Sequence, residues 1–138
     1  MAANTTPIFG LTPNCTKSRL STANTTRDLG TTTNAVLAFT AGTNGSRLDK
    51  ITFTHTANDQ TTASSNCVVR VYVTDAAIAN PRLVKELAIS AVTPSSTAIG
   101  AFGEISFAGG RFLQNGLLVY VTVSVTSGWD VLAEGFDY

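Results

Sequence analysis

Apolar and polar residues alternate with a period of two along most of this chain, and that rhythm predicts strands. The clearest run covers residues 117–126. Leu117, Val119, Val121, Val123 and Val125 fall on one face, with Leu118, Tyr120, Thr122, Ser124 and Thr126 on the other. That is the pattern of a half-buried antiparallel strand. Ser127-Gly128 is turn chemistry, so residues 129–134 are expected to return as its hairpin partner. A second hairpin is predicted from residues 35–40 and 48–56 around Asn44-Gly45, a pair that supplies the positive φ angles of tight turns. Ile51, Phe53 and His55 share a face there. Leu48 is out of phase with them, which predicts a bulge near Asp49.

Three further runs complete the pattern. Residues 67–74 place Val69, Val71 and Val73 on one side and Arg70 and Tyr72 opposite. Residues 83–89 point Leu83, Leu87 and Ile89 one way, and Ile105 with Phe107 forms a short strand closed by Gly109-Gly110. Polar loops are expected at residues 57–66 and 93–97. The sum is about eight antiparallel strands with almost no helix signal. It predicts an all-β domain over residues 34–138, a jelly-roll-like β-sandwich or a barrel. Residues 1–33 are Thr- and Asn-rich with little alternation, and are read as an extended N-terminal arm. Ile8, Phe9 and Leu11 give that arm an apolar anchor for ordering on a neighbouring subunit.

Composition adds how such a domain presents itself. Among 138 residues, nine basic and nine acidic side chains cancel, and only 13% of the chain is charged. Typical soluble domains carry about 25%. The surface is left to 22 Thr, 11 Ser and 9 Asn, whose hydroxyls and amides cost less to desolvate than charges. Such a surface suits dense contact with neighbours. Zero net charge without clustered Lys and Arg argues against coating nucleic acid. The apolar stretches are too short and interrupted for a membrane helix. Met1-Ala2-Ala3-Asn4-Thr5-Thr6 lacks the character of a signal peptide, so the chain is expected to be made in a cytoplasm, with Cys15 and Cys67 as free thiols.

Charge is also uneven along the chain. Lys17, Arg19 and Arg27 precede the first acid, whereas no basic residue follows Arg111 and Asp130, Glu134 and Asp137 stand near the end. Such asymmetry on every copy invites contacts between copies. Catalytic chemistry has little to draw on. His55 is the sole histidine, and its place on an apolar strand face marks it as a core residue. A Cys67–His55 pair lacks a third orienting group. Two cysteines and one histidine do not make a zinc site, and Glu134 with Asp137 matches no calcium loop. The chain is therefore read as no enzyme and as needing no cofactor or metal. Trp129 or Tyr120 would be the residues to stack on a sugar.

The opening residues Met1 to Phe9, the stretch from Phe39 to Ile51, the run Val69-Arg70-Val71-Tyr72-Val73 and the ending Gly128-Trp129-Asp130-Val131 through Tyr138 together resemble small structural proteins of tailed bacteriophages and prophages. The resemblance rests on order and spacing. It implies a virion component, a decoration or cement protein on the capsid exterior, assembled in the host cytoplasm. Its partners would be the major capsid protein and other copies of itself. The alternatives are a tail or neck component, or, from another class, a receptor- or carbohydrate-binding module. Candidate subunit contacts are Ile8, Phe9, Leu11, Lys17, Arg19 and Arg27, and a chain lacking residues 1–20 is expected to fold yet lose binding to heads.

Overall fold

Strands form where β-branched and aromatic residues alternate with small polar ones, because such side chains pack well on a pleated surface. The computed structural model describes residues 12–30, 34–56, 64–95 and 97–138. Within them lie β1 (Thr12–Leu20), β2 (Val36–Thr40), β3 (Ser46–His55), β4 (Cys67–Thr74), β5 (Arg82–Ile89), β6 (Phe102–Leu113), β7 (Leu118–Val123) and β8 (Trp129–Asp137). They make two four-stranded antiparallel sheets, ordered β1-β8-β3-β6 and β2-β7-β4-β5. Among the described residues each sheet keeps two free edges, so the domain is an open sandwich and not a closed barrel.

The pairing is nested. β1 lies beside β8, β2 beside β7, β3 beside β6 and β4 beside β5. A single long antiparallel ribbon, folded over so that β3 also meets β8 and β4 also meets β7, gives this order. That is the jelly roll.

Both expected hairpins are corrected by this topology. β2 pairs with β7, whereas β3 lies in the opposite sheet, so the Asn44-Gly45 turn is a corner between sheets. β7 and β8 likewise lie in different sheets, and the last strand pairs with β1 and β3 instead. A tight turn dictates only a reversal of direction. Whether the returning strand pairs or crosses depends on where its apolar face finds a partner. Six of the seven connections cross between sheets, and β4–β5 alone is a hairpin.

The core is the inward half of each alternation. Leu48, Ile51, Phe53, Ile105, Trp129 and Val131 from one sheet face Phe39, Val69, Val71, Val119, Val121 and Val123 from the other. Fully burying such side chains contributes about 1.5–3 kcal/mol each. The register shifts between Leu48 and Lys50 against both neighbours, so the out-of-phase Leu48 does mark a bulge at Asp49. A second bulge at Val84 separates Lys85↔Val71 from Leu83↔Tyr72. It turns Leu83 outward, where it is 37% exposed, against the expectation that it faces inward with Leu87 and Ile89.

The N-terminal region also departs from its expectation. Ile8, Phe9 and Leu11 lie outside the described residues. Thr12–Leu20, expected within the arm, is an edge strand in register with β8 along its whole length, ending in the buried Leu20. Residues 23–30 then lie on the other sheet. The Asn24 amide donates to the Val123 carbonyl at 2.7 Å, the Arg70 guanidinium to the Asn24 carbonyl at 3.4 Å, and Leu29 is fully buried. Deleting residues 1–20 would thus remove a strand of the sandwich.

Where the Asp49 bulge draws β3 toward β8, the backbones come too close for a side chain. A Cβ at Gly135 would sit 2.1 Å from the Arg47 carbonyl oxygen. Gly109 has a left-handed φ of 77° but open space around it. Gly135→Ala is expected to lower stability by about 3 kcal/mol and Gly109→Ala by about 1 kcal/mol. Urea unfolding of the two variants checks this, and equal losses would refute the close approach at Gly135.

Candidate functional site

The two outer faces of the sandwich differ, and the difference comes from residues 21–30. On the β2-β7-β4-β5 sheet, Arg70, Tyr72 and Thr122 point outward yet are buried, because that segment covers them. Arg70 Nε donates to Glu86 Oε1 at 2.8 Å, and Arg27 reaches across from the covering segment to Glu86 Oε2 at 2.5 Å. The two guanidiniums hold the Glu86 carboxyl below its usual range, Arg70 contributing first through its hydrogen bond. Arg27 is therefore a strap across this face, apart from Lys17 and Arg19.

The β1-β8-β3-β6 sheet carries no such cover among the described residues. Cross-strand register lays its outward side chains in rows, read from β1 to β6. One row is Arg19, Asp130, Thr54 and Phe102; the next is Lys17, Leu132, Thr52 and Glu104. The third is Cys15, Glu134, Lys50 and Ser106, with Lys50 Nζ 3.1 Å from Glu134. Beyond it, Arg47 lies over the Phe136 ring at 5.7 Å and Phe112 stacks on Tyr138 at 6.2 Å. Phe112, Phe102 and Leu132 are 70%, 55% and 36% exposed. Lys17, Arg19, Thr52, Thr54, Asp130 and Leu132 line a shallow depression of about 430 Å³.

Sequence reasoning thus named two residues of this face, Lys17 and Arg19, and the fold brings them together. It missed Phe102, Phe112, Leu132 and Glu104, because an alternating pattern does not tell which outward face the rest of the chain will cover. The uneven charge along the chain is met within one copy: β1 with its cations runs beside β8 with its acids. Asn14 donates to Asp137 Oδ1 at 2.9 Å, and Ser46 Oγ donates to the same oxygen. Arg19 donates to the Thr56 carbonyl at 3.0 Å.

The residues considered for chemistry fall elsewhere. His55 Nε2 sits 2.7 Å from Ser127 Oγ and edge-on to Trp129, centroids 5.1 Å apart. Among the described residues no hydrogen bond joins His55 to Cys67. Burial pushes the Cys67 thiol up and the His55 imidazole down, so both are held neutral, and a neutral thiol is a poor nucleophile. Trp129 is fully buried and offers no face to a sugar; Tyr120 is half-buried. No group of three or more His, Cys, Asp or Glu with metal-binding proximity occurs among the described residues, and no helix among them is long and apolar enough to cross a membrane. Neither a scan against protein-family models nor a search of curated proteins finds a match to this chain.

The paired groups set the acid response. Glu86, lowered in the fold, contributes stability that is present at neutral pH and lost as pH falls below about 4.5 through its folded value. His55, also lowered, favours the fold above its unfolded value of about 6.5, an advantage lost as pH falls below that. Glu86→Gln is therefore expected to flatten the stability profile between pH 5 and pH 3, and His55→Gln to flatten it between pH 7 and pH 5. Urea unfolding across pH reads both, and a profile unchanged by either variant refutes the corresponding assignment.

Proposed function

We propose that this chain is a structural protein of a tailed-phage virion, a decoration (cement) protein on the capsid exterior that bridges major capsid subunits. The observation that carries the reading is the outer face of the β1-β8-β3-β6 sheet, uncovered among the described residues. It sets exposed Phe102, Phe112 and Leu132 among hydroxyls and a few complementary charges, on a rigid sandwich. Monomers rarely leave apolar groups of this size on one face without a binding role. The jelly roll accords with the sequence resemblance to such proteins, since the fold recurs in capsid components. The low charge density accords with it too, because surfaces that pack closely shed little hydration on hydroxyls.

Contacts of modest strength suffice in this role. Copies bound on a symmetric shell act together, so each needs only part of a standard interface. Lys17 and Arg19 on β1, with Leu132 between β1 and β3, are the contacts this face offers to a neighbouring subunit, another copy of this chain included. Ile8, Phe9 and Leu11 remain the apolar anchor proposed for residues 1–11. Nucleic acid and membrane play no part in this reading.

Quantitative mass spectrometry of purified particles, against the major capsid protein, tests the role. Hundreds of copies per particle are expected; a dozen or fewer would place the chain at the neck or tail, and none would end the virion reading. Removing residues 1–11 leaves every described strand in place. The truncated chain is expected to fold and to lose binding to heads, and undiminished binding would exclude the anchor.

A further inference from the structure

The four strand edges leave little room for assembly by adding strands. β1 carries Pro13, Lys17 and Arg19, β2 is bulged at Ala38, β5 carries Arg82, Lys85 and the bulge at Val84, and β6 is broken opposite Asp49 by the extra residues 107–110. Prolines, charges and bulges on edge strands are the features that block edge-to-edge pairing. Residues 21–30 cover the middle of the outer face of the β2-β7-β4-β5 sheet, leaving Leu37 and Leu83 part-exposed on its two edge strands. The outer face of the β1-β8-β3-β6 sheet is the broader one that no described residue covers.

That face has a symmetry in its chemistry. Its cations Lys17 and Arg19 stand on the β1 side, whereas Glu104 and Phe102 stand on the β6 side, in the same two rows. The middle strands repeat the relation, with Glu134 on β8 beside Lys50 on β3. A two-fold axis running parallel to the strands, above the line between β8 and β3, lays β1 of one copy over β6 of the other and β8 over β3. Every row then meets its own complement. Lys17 faces Glu104 of the second copy, Glu134 faces Lys50, and the Arg19 guanidinium faces the Phe102 ring, a cation–π pairing. Each contact occurs twice, as a two-fold interface requires.

A two-fold axis perpendicular to the strands makes the opposite match. It reverses the order of the rows and lays β1 over β1 and β6 over β6, gathering Lys17 and Arg19 of both copies at one rim and Glu104 of both at the other, and like charges across an interface are strongly disfavoured. Charge alone therefore selects one arrangement of the two. Four strands about 4.8 Å apart and nine residues long span roughly 19 Å by 30 Å. That footprint, before the corrugation of side chains is counted, approaches the roughly 800 Å² per partner of a standard interface.

We propose that the outer face of the β1-β8-β3-β6 sheet binds a second copy of this chain, face to face, about a two-fold axis parallel to the strands. This deepens the assembly reading by naming one surface and its partner, and it rests on the register of the face and not on the capsid role. In such a dimer the apolar Phe102 and Leu132 leave water together, and the charges that flank them set the register.

Sedimentation of the full chain over a concentration series tests the arrangement. The wild type is expected to dimerise, and Lys17→Glu and Glu104→Lys each to weaken the dimer by about ten-fold or more, since each creates two like-charge contacts. The double variant exchanges the signs on both sides and is expected to restore it. Both positions are exposed, and circular dichroism checks that the variants fold. A spin label on Cys15, the exposed thiol, gives a second readout. The two Cys15 residues are expected on opposite rims, with Cα atoms about 17 Å apart across three strand spacings and one sheet spacing. A monomer at every concentration overturns the proposal while leaving the particle copy number to judge the capsid role. A dimer indifferent to the single substitutions, or not rescued by the double one, uses another face and overturns it equally.

Discussion

The structure depends on where β8 lies. It fills the middle of its sheet, between β1 and β3, in continuous antiparallel register with both. That position buries Trp129, Val131 and Ala133 in the core and gives β1 something to pair with. It also brings both ends of the described chain together, so that Asn14, Ser46 and Asp137 join in one hydrogen-bonded cluster. Ser46 Oγ also accepts from the Gly42 amide at 2.8 Å, tying the corner between β2 and β3 to the last strand. Pairings this far apart in sequence close only when most of the chain is already in place, which makes the jelly roll a fold of long-range contacts.

This long-range character explains what the sequence disclosed. Strand positions and inward faces were legible, because burial of Ile51, Phe53, Val69, Val71, Val119, Val121 and Val123 follows directly from a period of two. Even the bulge at Asp49 was legible, since Leu48 breaks phase and must be restored to the core by an extra residue. Partners were not. Asn44-Gly45 and Ser127-Gly128 mark reversals correctly, but each sits at a corner where the chain changes sheets. The bulge at Val84 was also hidden, because Leu83 is as apolar outside as Leu87 is within. β1 escaped notice because its outward positions are Pro13, Cys15, Lys17 and Arg19 and its inward ones are short and polar until Leu20, so no apolar alternation announces it.

The outer faces were the least legible part. Arg70 and Tyr72 read as solvent-facing, and on an isolated sheet they would be. Residues 21–30 change that by packing over them, and the Arg70–Glu86–Arg27 bridge satisfies the charge so buried. A buried guanidinium without such a partner would be costly. Lys17, Leu132, Thr52 and Glu104 look no different in sequence, yet they stay exposed. The candidate surface is thus defined by the lack of such a cover among the described residues, which no local pattern encodes.

The few charges are informative because they are few. Arg27, Arg70, Arg47 and Lys50 each have an acidic partner within the chain, and Lys85 donates to the Ser106 carbonyl. Lys17 has neither an acid within salt-bridge distance nor a hydrogen bond among the described residues, although Asp130 and Glu134 lie on the neighbouring strand. A protein with only 13% charged residues gains little solubility from one lysine, and an exposed ion pair there would add at most about 1 kcal/mol of stability. Its position in the row that ends at Glu104 gives it a use that stability does not. Opposite charges at the two ends of one row cannot reach each other across Leu132 and Thr52, but they fix the orientation of whatever lies on that row. Complementarity of this kind adds more to specificity than to affinity, and specificity is what a low-charge, hydroxyl-covered face otherwise lacks.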